Sequence, residues 1–372
     1  MRPSPASPPI NGLLEEGKDI VMNDTPKDSS STERSLGFSI IIPVYNGEKT
    51  LPDTLRSVSS LEGGPFEIVV VDDGSTDRTP DIAREYNAVV VRMDQNQGPA
   101  AARNMGARFA SHDILVFTDS DVLLPKRLLG IVAGHFNKTA ADAVQGVFSE
   151  VCPFANYFSQ YKNLYNRFVL TNLPDWIDTT FTSITAVRRA AFLDSGGFDE
   201  GIRGASVEDR TLGRNLRKTG CRIRLDRSIE VIHNKKLTCS GFIRNQFRRS
   251  RDLAKLMLRN RSEPPLPPLE QDAAPEVRFG TNSLSTMLRI PAAYLGILFC
   301  GIAFADPIFL VAAAFWALLF LHLIAPLEWR LLRRRGLFFA LKGIPVNFLD
   351  AVASGLGIAA GLFDFFFLGK KF

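Results

Sequence analysis

The sequence predicts an open α/β sheet, mostly parallel, followed by helices apolar enough to cross a membrane. Three observations carry this. Four short Val/Ile-rich runs, FSIIIPVYN, FEIVVVDDG, AVVVRMD and DILVFTDSD, follow one another between Phe38 and Asp121, and strands buried on both faces of a parallel sheet read this way. Helix-like segments alternate with them, giving the order βαβαβαβ of an open sheet. Far downstream, 290–305 and 307–327 lack Asp, Glu, Lys and Arg, and a helix needs about 20 apolar residues to cross the hydrocarbon core.

The elements follow in order. Residues 1–36 carry Pro and Ser runs (RPSPASPP, DSSST) without an apolar period, so a disordered tail is expected there. No charged n-region precedes an apolar h-region, so no signal peptide is expected. Leu51, Leu55, Val58 and Leu61 fall at helical spacing, with Thr50 and Asp53 placed like a capping box. TPDIAREY offers Thr79 as N-cap and Pro80 in the first turn, and an Ala-rich helix begins after Gly98. Beyond residue 130 the pattern loosens into an aromatic amphipathic stretch at 154–168 and a strand at 181–187. A turn at GGFDE and a helix over 206–219 follow, the helix capped near Ser206 with acids in its first turn.

The Pro-rich segment SEPPLPPLEQDAAPE marks a boundary. The expected division is a tail at 1–36, an α/β domain at 37–261, a linker at 262–285 and a membrane domain at 286–372. Spans are expected near 288–305, 307–327 and 345–368.

The net charge of +5 is unevenly spread, for Arg203 to Arg261 holds 17 Lys/Arg against 5 Asp/Glu. Such a block faces phosphates or acidic headgroups. No helix-turn-helix, zinc-finger or RNA-reading motif accompanies it, so no nucleic-acid partner is expected. Cys152, Cys221, Cys239 and Cys300 form no CxxC pair, which argues against a disulfide scaffold or zinc site and fits a reducing compartment. Arg278 and Arg289 precede the first apolar run and EWRLLRRR follows the second, while the turn at Asp306–Pro307 has no base. The positive-inside rule then places the large domain and loop 328–335 in the cytoplasm. Lys370 and Lys371 conflict with a third full crossing. Either 337–349 lies in the interface and only 350–368 crosses, or the last stretch is a re-entrant hairpin.

Open α/β sheets bind ligands outside the carboxyl ends of their strands. Asn46, Asp72, Asp73, Asp94, Asp119 and Asp121 all fall just past a strand end. Asp119 and Asp121 stand one residue apart, and two like charges repel unless a cation lies between them. A Mg²⁺ or Mn²⁺ ion held by one or two carboxylates plus substrate phosphates resolves the conflict, although a solvated acidic turn has the same sequence.

The series IIPVYNGEKTLPDTLRSV, VVVDDGSTDRT, NQGPAAARNMGA, FTDSDVLLP, GGFDE and EDRTLGRNLRKTG, in that order, closely resembles family 2 glycosyltransferases with the GT-A fold, from about Phe38 to Arg251. The resemblance implies an inverting enzyme with a nucleotide-sugar donor, a UDP-sugar by expectation, and a Mg²⁺ or Mn²⁺ cofactor. Pro43, Tyr45, Asn46 and Glu48 would line base and ribose, Asp72 would position its loop, and Asp73 would accept from a uracil-type imide N–H. Asp121 would ligate the metal. Asp119 would lie nearer the ribose or share the metal, with Ser120 on the donor side. Arg103 would approach the sugar or diphosphate, unless it serves helix packing. Glu208 and Asp209 match the family's ED motif, where the Asp is general base and in-line attack by a hydroxyl inverts the anomeric carbon. His233 fits a histidine that approaches the metal, or a structural one. Arg248 and Arg249 would close over the diphosphate or sit at the headgroup surface.

At the DxD the chain reads DSDVLLPK where polyprenyl-phosphate enzymes typically read DADLQHPP, and an ED pair is present, so a hydroxyl acceptor is favoured. Membrane lipids and a glycan or lipid-linked acceptor are the expected partners. The expected setting is the cytoplasmic membrane of a bacterium, in cell-envelope glycan or glycolipid synthesis. Two other readings fit the residues. One is a non-catalytic nucleotide-sugar or glycan-binding membrane scaffold. The other is a processive polysaccharide synthase, which Ser250 opposes, since it stands where the QxxRW motif of those synthases has Trp.

Overall fold

The computed structural model describes residues 36–264, 266, 284–370 and 372. The tail expected at 1–36 and most of the Pro-rich linker lie outside the described residues. The first half of the sheet follows from the Val/Ile runs: β1 (Phe38–Val44), β2 (Phe66–Asp72), β3 (Val89–Arg92) and β4 (Ile114–Phe117), with α1 (Leu51–Ser59), α2 (Thr79–Arg84) and α3 (Pro99–Phe109) between them. β1 pairs in parallel with both β2 and β4, and β2 with β3. All seven residues of β1 and all four of β4 are buried, as strands covered on both faces must be. Gly106 explains how closely α3 lies on this sheet, because a Cβ there would stand 2.4 Å from Ile41 Cγ2.

The second half is mixed: β5 (Val122–Leu123), α4 (Leu128–Lys138), β6 (Ala143–Phe148), α5 (Tyr157–Thr171), β7 (Trp176–Ile177), β8 (Thr185–Arg188), α6 (Arg189–Asp194), α7 (Glu208–Lys218) and β9 (Ile223–His233). The sheet runs β3-β2-β1-β4-β8-β6-β9-β5, with β7 on β9. β8 is antiparallel to β4 and β6, while β6 and β9 are parallel. The ends of β1, β2 and β4 therefore meet the end of β9, which delivers His233 beside the Asp119–Asp121 turn.

Two local expectations are corrected. Thr50 occupies the N-cap position of α1, but no side-chain cap bond forms. Thr79 is not a cap; it is the first residue of α2, and its hydroxyl accepts from the Gly47 amide at 2.8 Å. The cap expected near Ser206 is Val207, and Glu208 Oε2 turns back to accept from the Ser206 amide at 2.7 Å.

After the sheet comes α8 (Cys239–Arg259), then α9 (Leu284–Ile302), α10 (Phe309–Arg335) and α11 (Leu337–Phe366). α10 and α11 are long and apolar enough to cross a membrane, and Met287–Ile302 is a shorter apolar helix. The re-entrant hairpin is not formed, since α11 is one continuous helix of 30 residues. Its glycines serve close approach instead of turning. A Cβ at Gly355 would stand 2.3 Å from the Tyr294 ring, one at Gly357 2.3 Å from the Phe247 carbonyl, and one at Gly361 2.4 Å from the Arg251 carbonyl. α11 thus runs along α8, and Lys255 Nζ ends the contact 3.3 Å from Asp364 Oδ2.

Candidate functional site

The loops after β1 and β2 are stapled together. The Asn46 amide donates to Ser75 Oγ at 2.9 Å, and Asn46 Oδ1 accepts from the Thr76 amide at 2.9 Å. Asn46 has φ 51°, a left-handed conformation that Asn tolerates better than most residues. The Glu48 amide donates to Asp77 Oδ2 at 3.1 Å. Asp72, fully buried, accepts from the Ser75 amide at 2.9 Å and faces Arg92 Nε at 3.5 Å. Asp73 accepts from the Gln97 amide at 2.7 Å and the Gly98 amide at 2.9 Å. Burial pushes its carboxyl up despite these bonds, and each oxygen keeps a lone pair for a further donor. Gly98 sits at φ 96°, where a Cβ would meet the Arg203 carbonyl at 2.2 Å; glycine is needed there.

The two acids of the DSD turn are drawn to different cations. Asp119 Oδ1 accepts from Arg103 Nη2 at 2.7 Å, and its Oδ2 from Ser183 Oγ at 3.1 Å. Asp121 has His233 Nε2 at 3.5 Å and Lys235 Nζ at 3.1 Å. Burial alone would raise the Asp121 carboxyl; the His233 hydrogen bond and charge, joined by Lys235, hold it well below the usual carboxylate range. Among the described residues no group of three or more His, Cys, Asp or Glu side chains could hold a metal. Asp121 and His233 supply two adjacent donors of the right kind, and a divalent ion of this type completes its shell with substrate phosphate and water. Asp119 is held beside them by Arg103 and Ser183, with a lone pair left on each oxygen.

Arg103, 3% exposed, bridges the two motifs. Its Nη1 donates to Glu208 Oε1 at 3.1 Å while Nη2 holds Asp119. Glu208 is thereby committed on both oxygens. Asp209 differs. It borders the cavity as Glu208 does, but accepts only from the Arg210 backbone amide, at 2.8 Å, among the bonds found for it, and burial followed by the negative charge of Glu208 pushes its carboxyl up to about 6, against the opposing pull of Arg249 and Arg210. Arg248 Nη2 donates to the Ala205 carbonyl at 3.1 Å.

These groups surround one cavity of about 1100 Å³, bordered by Pro43, Tyr45, Asp73, Asp121, Asp209 and Arg249 among others. Asp119, Ser120, Glu208, His233 and Arg248 also border it. Asn46, Glu48 and Asp72 are not on its wall; they brace the loops that are.

Sequence reasoning missed two lysines. Lys235 follows His233 by two residues, so a basic residue beside the metal-side histidine was a usable signal. Lys162 was hidden in the aromatic stretch. It is buried on α5, its Nζ donates to Gln246 Oε1 at 3.0 Å and lies 4.8 Å from the Tyr165 ring centroid. Burial, with the Arg249 guanidinium near, brings its amine down to about 7. Gln246 in turn donates to Asp350 of α11, which receives Arg289 Nη2 of α9.

The arrangement of parallel strands with strand-end acids around a large cavity is that of the GT-A fold. Residues 39–196 match the family model described as Glycosyl transferase family 2. The chain is 30% identical over 255 residues to validoxylamine A glucosyltransferase of Streptomyces hygroscopicus subsp. limoneus, covering 56% of each chain. It is 34% identical over 169 residues to 4,4'-diaponeurosporenoate glycosyltransferase of Staphylococcus haemolyticus, covering 43% of each. The chain therefore spans about half the length of these curated relatives. A solved mannosyltransferase from Pyrobaculum calidifontis, in complex with GDP-Man and Mn²⁺, shares the fold with TM-score 0.54 at 18% identity, over 88% of this chain and 87% of that one. Residues 39–196 are thus similar to family 2 glycosyltransferases, and the fold is GT-A.

Proposed function

We propose that the chain is an inverting glycosyltransferase that moves a sugar from a nucleotide sugar, a UDP-sugar by preference, to a hydroxyl acceptor in or beside a membrane. The observation that carries this reading is the division of labour in the ED pair. Arg103 and the Ser206 amide hold Glu208 in place. Asp209 is left to the cavity with its carboxyl raised to about 6, unprotonated at neutral pH yet basic enough to take a proton from an acceptor.

Pro43, Tyr45 and Asp73 receive the base and ribose, on loops braced by Asn46, Glu48 and Asp72. Asp121 and His233 would hold the divalent ion, which when bound neutralises charge on the diphosphate. Lys235, Arg248 and Arg249 add positive charge where the leaving diphosphate grows negative. Asp209 accepts the hydroxyl proton as the oxygen attacks from the face opposite the leaving group, which inverts the anomeric carbon.

α9 and α10 supply the membrane hairpin, and the basic end of α10 (Arg333 to Arg335) stays with the GT-A domain on the cytoplasmic side. Arg334 pairs with Glu150 at 3.2 Å, and Arg335 donates to Gln160 at 2.8 Å, which supports that placement. An acceptor for cell-envelope glycan or glycolipid synthesis fits it.

The test is release of nucleoside diphosphate by the purified, detergent-solubilised chain, given a panel of UDP- and GDP-sugars, Mn²⁺ and membrane lipid extract. Turnover of one donor, abolished in Asp121→Asn, is the expected result. Nucleotide binding with no turnover of any donor would favour a non-catalytic scaffold.

A further inference from the structure

α8 borders the cavity for most of its length. Gly241, Arg244, Arg248, Arg249, Leu253 and Met257 all border it. Asn245, Gln246, Ser250 and Ala254 border it too, so the lining drifts around the helix as it advances, and Gly241 to Met257 spans about 24 Å at 1.5 Å per residue. The chemistry changes along it. Its N-terminal half carries three arginines and begins near Lys235 and Asp121, at the donor end. Beyond Ser250 its lining residues are the apolar Leu253, Ala254 and Met257.

The neighbouring helices change in step. α9 adds Met287, Ile290 and Arg289, the last neutralised by Asp350, and α11 adds Ser354 and Ile358. Their level along α8 is fixed by contacts on both sides. Arg289 meets Asp350, which accepts from Gln246. A Cβ on Gly357 would stand 3.1 Å from Ser250 Cβ, and one on Gly361 3.1 Å from Ala254 Cβ. The apolar half thus opens just beyond Arg249, whose charge reaches the Asp209 carboxyl. Met257 and Met287 are half exposed at 50% and 41%, so the apolar end reaches the surface between the GT-A domain and the apolar helices.

A trough with phosphate-binding chemistry at one end and hydrocarbon chemistry at the other, with a raised carboxyl between, has two tenants. The donor occupies the charged end. Resting on the glycosyltransferase reading above, we infer that the apolar half, between α8, α9 and α11, binds the hydrocarbon tail of the acceptor. The acceptor is then an amphiphile whose hydroxyl headgroup lies at Asp209 and whose tail leaves past Leu253, Ile358 and Ile290. Apolar side chains lining a continuous exposed channel are otherwise a cost in water; a tail drawn from the bilayer removes it.

The experiment places the purified full chain in lipid nanodiscs containing a fatty alcohol with a photoactivatable diazirine midway along its chain. After illumination, adducts are mapped by peptide mass spectrometry. Adducts within the trough, on the α8 peptide containing Leu253 and the α11 peptide containing Ile358, are expected beside those on lipid-facing residues such as Val311 and Leu318. Ile290→Trp with Ile358→Trp fills the trough and should lower the trough adducts at least tenfold while leaving the Val311 and Leu318 adducts unchanged. Mn²⁺-dependent UDP binding on the same samples shows that the variant is folded. Adducts confined to Val311, Leu318 and their neighbours in the unmodified chain, or trough adducts unaltered in the folded double variant, would overturn the inference. The readout needs no turnover: trough adducts without turnover of any donor would leave the lipid site standing and remove the transferase reading alone.

Discussion

Arg103 donates to Glu208 at 3.1 Å across 105 residues of chain, and this bond joins the DxD turn to the ED helix. A buried guanidinium with a carboxylate on each side is held by geometry that no single substitution preserves.

Arg103→Met should leave Asp119 and Glu208 without their cation. Loss of one member of a buried ion pair costs about 3–5 kcal/mol. Urea unfolding of the purified chain should show a midpoint well below that of the unmodified protein. Arg103→Lys should recover only part, since an ammonium cannot fork to two carboxylates. An unchanged midpoint in Arg103→Met would show that the bridge is unimportant to stability.

Lys162 makes a pH-dependent prediction. Its amine falls to about 7 in the folded chain from the usual 10.5, so between those values the unfolded chain binds more protons. Stability then rises with pH across that window, and the cost of the buried charge is fully present below about 7. Lys162→Met should therefore be more stabilising relative to the unmodified chain at pH 6 than at pH 10. Equal differences at both pH values would mean the amine is not desolvated.

Asp121 and Asp209 should separate binding from chemistry. Calorimetric titration with UDP and Mn²⁺ should lose at least tenfold in affinity in Asp121→Asn and change little in Asp209→Asn. EDTA should abolish the binding difference by weakening the unmodified chain to the level of Asp121→Asn. Equal UDP affinity of Asp121→Asn and the unmodified chain would remove Asp121 from the metal site.

Much of this was legible in the sequence because strands buried on both faces leave a Val/Ile texture, and because the acids fall at the strand ends, where open α/β sheets bind ligands. β1, β2, β3 and β4 and the helices between them follow from that pattern. The second half was less legible. β7 and β5 are two-residue strands made by pairing with β9, and nothing local marks them. Site contacts from distant segments were likewise invisible. Ser183, Lys162 and the Gln246–Asp350–Arg289 chain are brought in by tertiary packing, and Arg103 was read as either a donor contact or a packing residue because one sequence does not show its two carboxylate partners.

The path of α11 shows the same limit. Its composition suits a third crossing, yet Lys255 holds Asp364 at 3.3 Å and the Phe372 ring lies 4.8 Å from the Arg259 guanidinium. α8 carries those partners, so the end of α11 stays with the GT-A domain. Under the placement proposed above, the exposed Leu356, Phe363 and Phe366 would face lipid from a helix lying in the interface. In sealed inside-out vesicles, Lys370→Cys in a background free of the native cysteines should react with a membrane-impermeant maleimide, and Ala305→Cys should react only after detergent is added. Protection of Lys370→Cys would restore a third crossing.

The most direct test of the central claim is the pH dependence of kcat/KM for the donor that turns over, in the unmodified chain, Asp209→Asn and Glu208→Gln. A base must be unprotonated, so the rate of the unmodified chain should climb with pH through about 6, where burial and Glu208 place the Asp209 carboxyl. Asp209→Asn should be slower by about 10²–10⁴-fold and lose the acidic limb, whereas Glu208→Gln should keep a limb, shifted to lower pH by removal of the neighbouring charge. An acidic limb retained in Asp209→Asn, or a rate close to that of the unmodified chain, would contradict the assignment of Asp209 as the base.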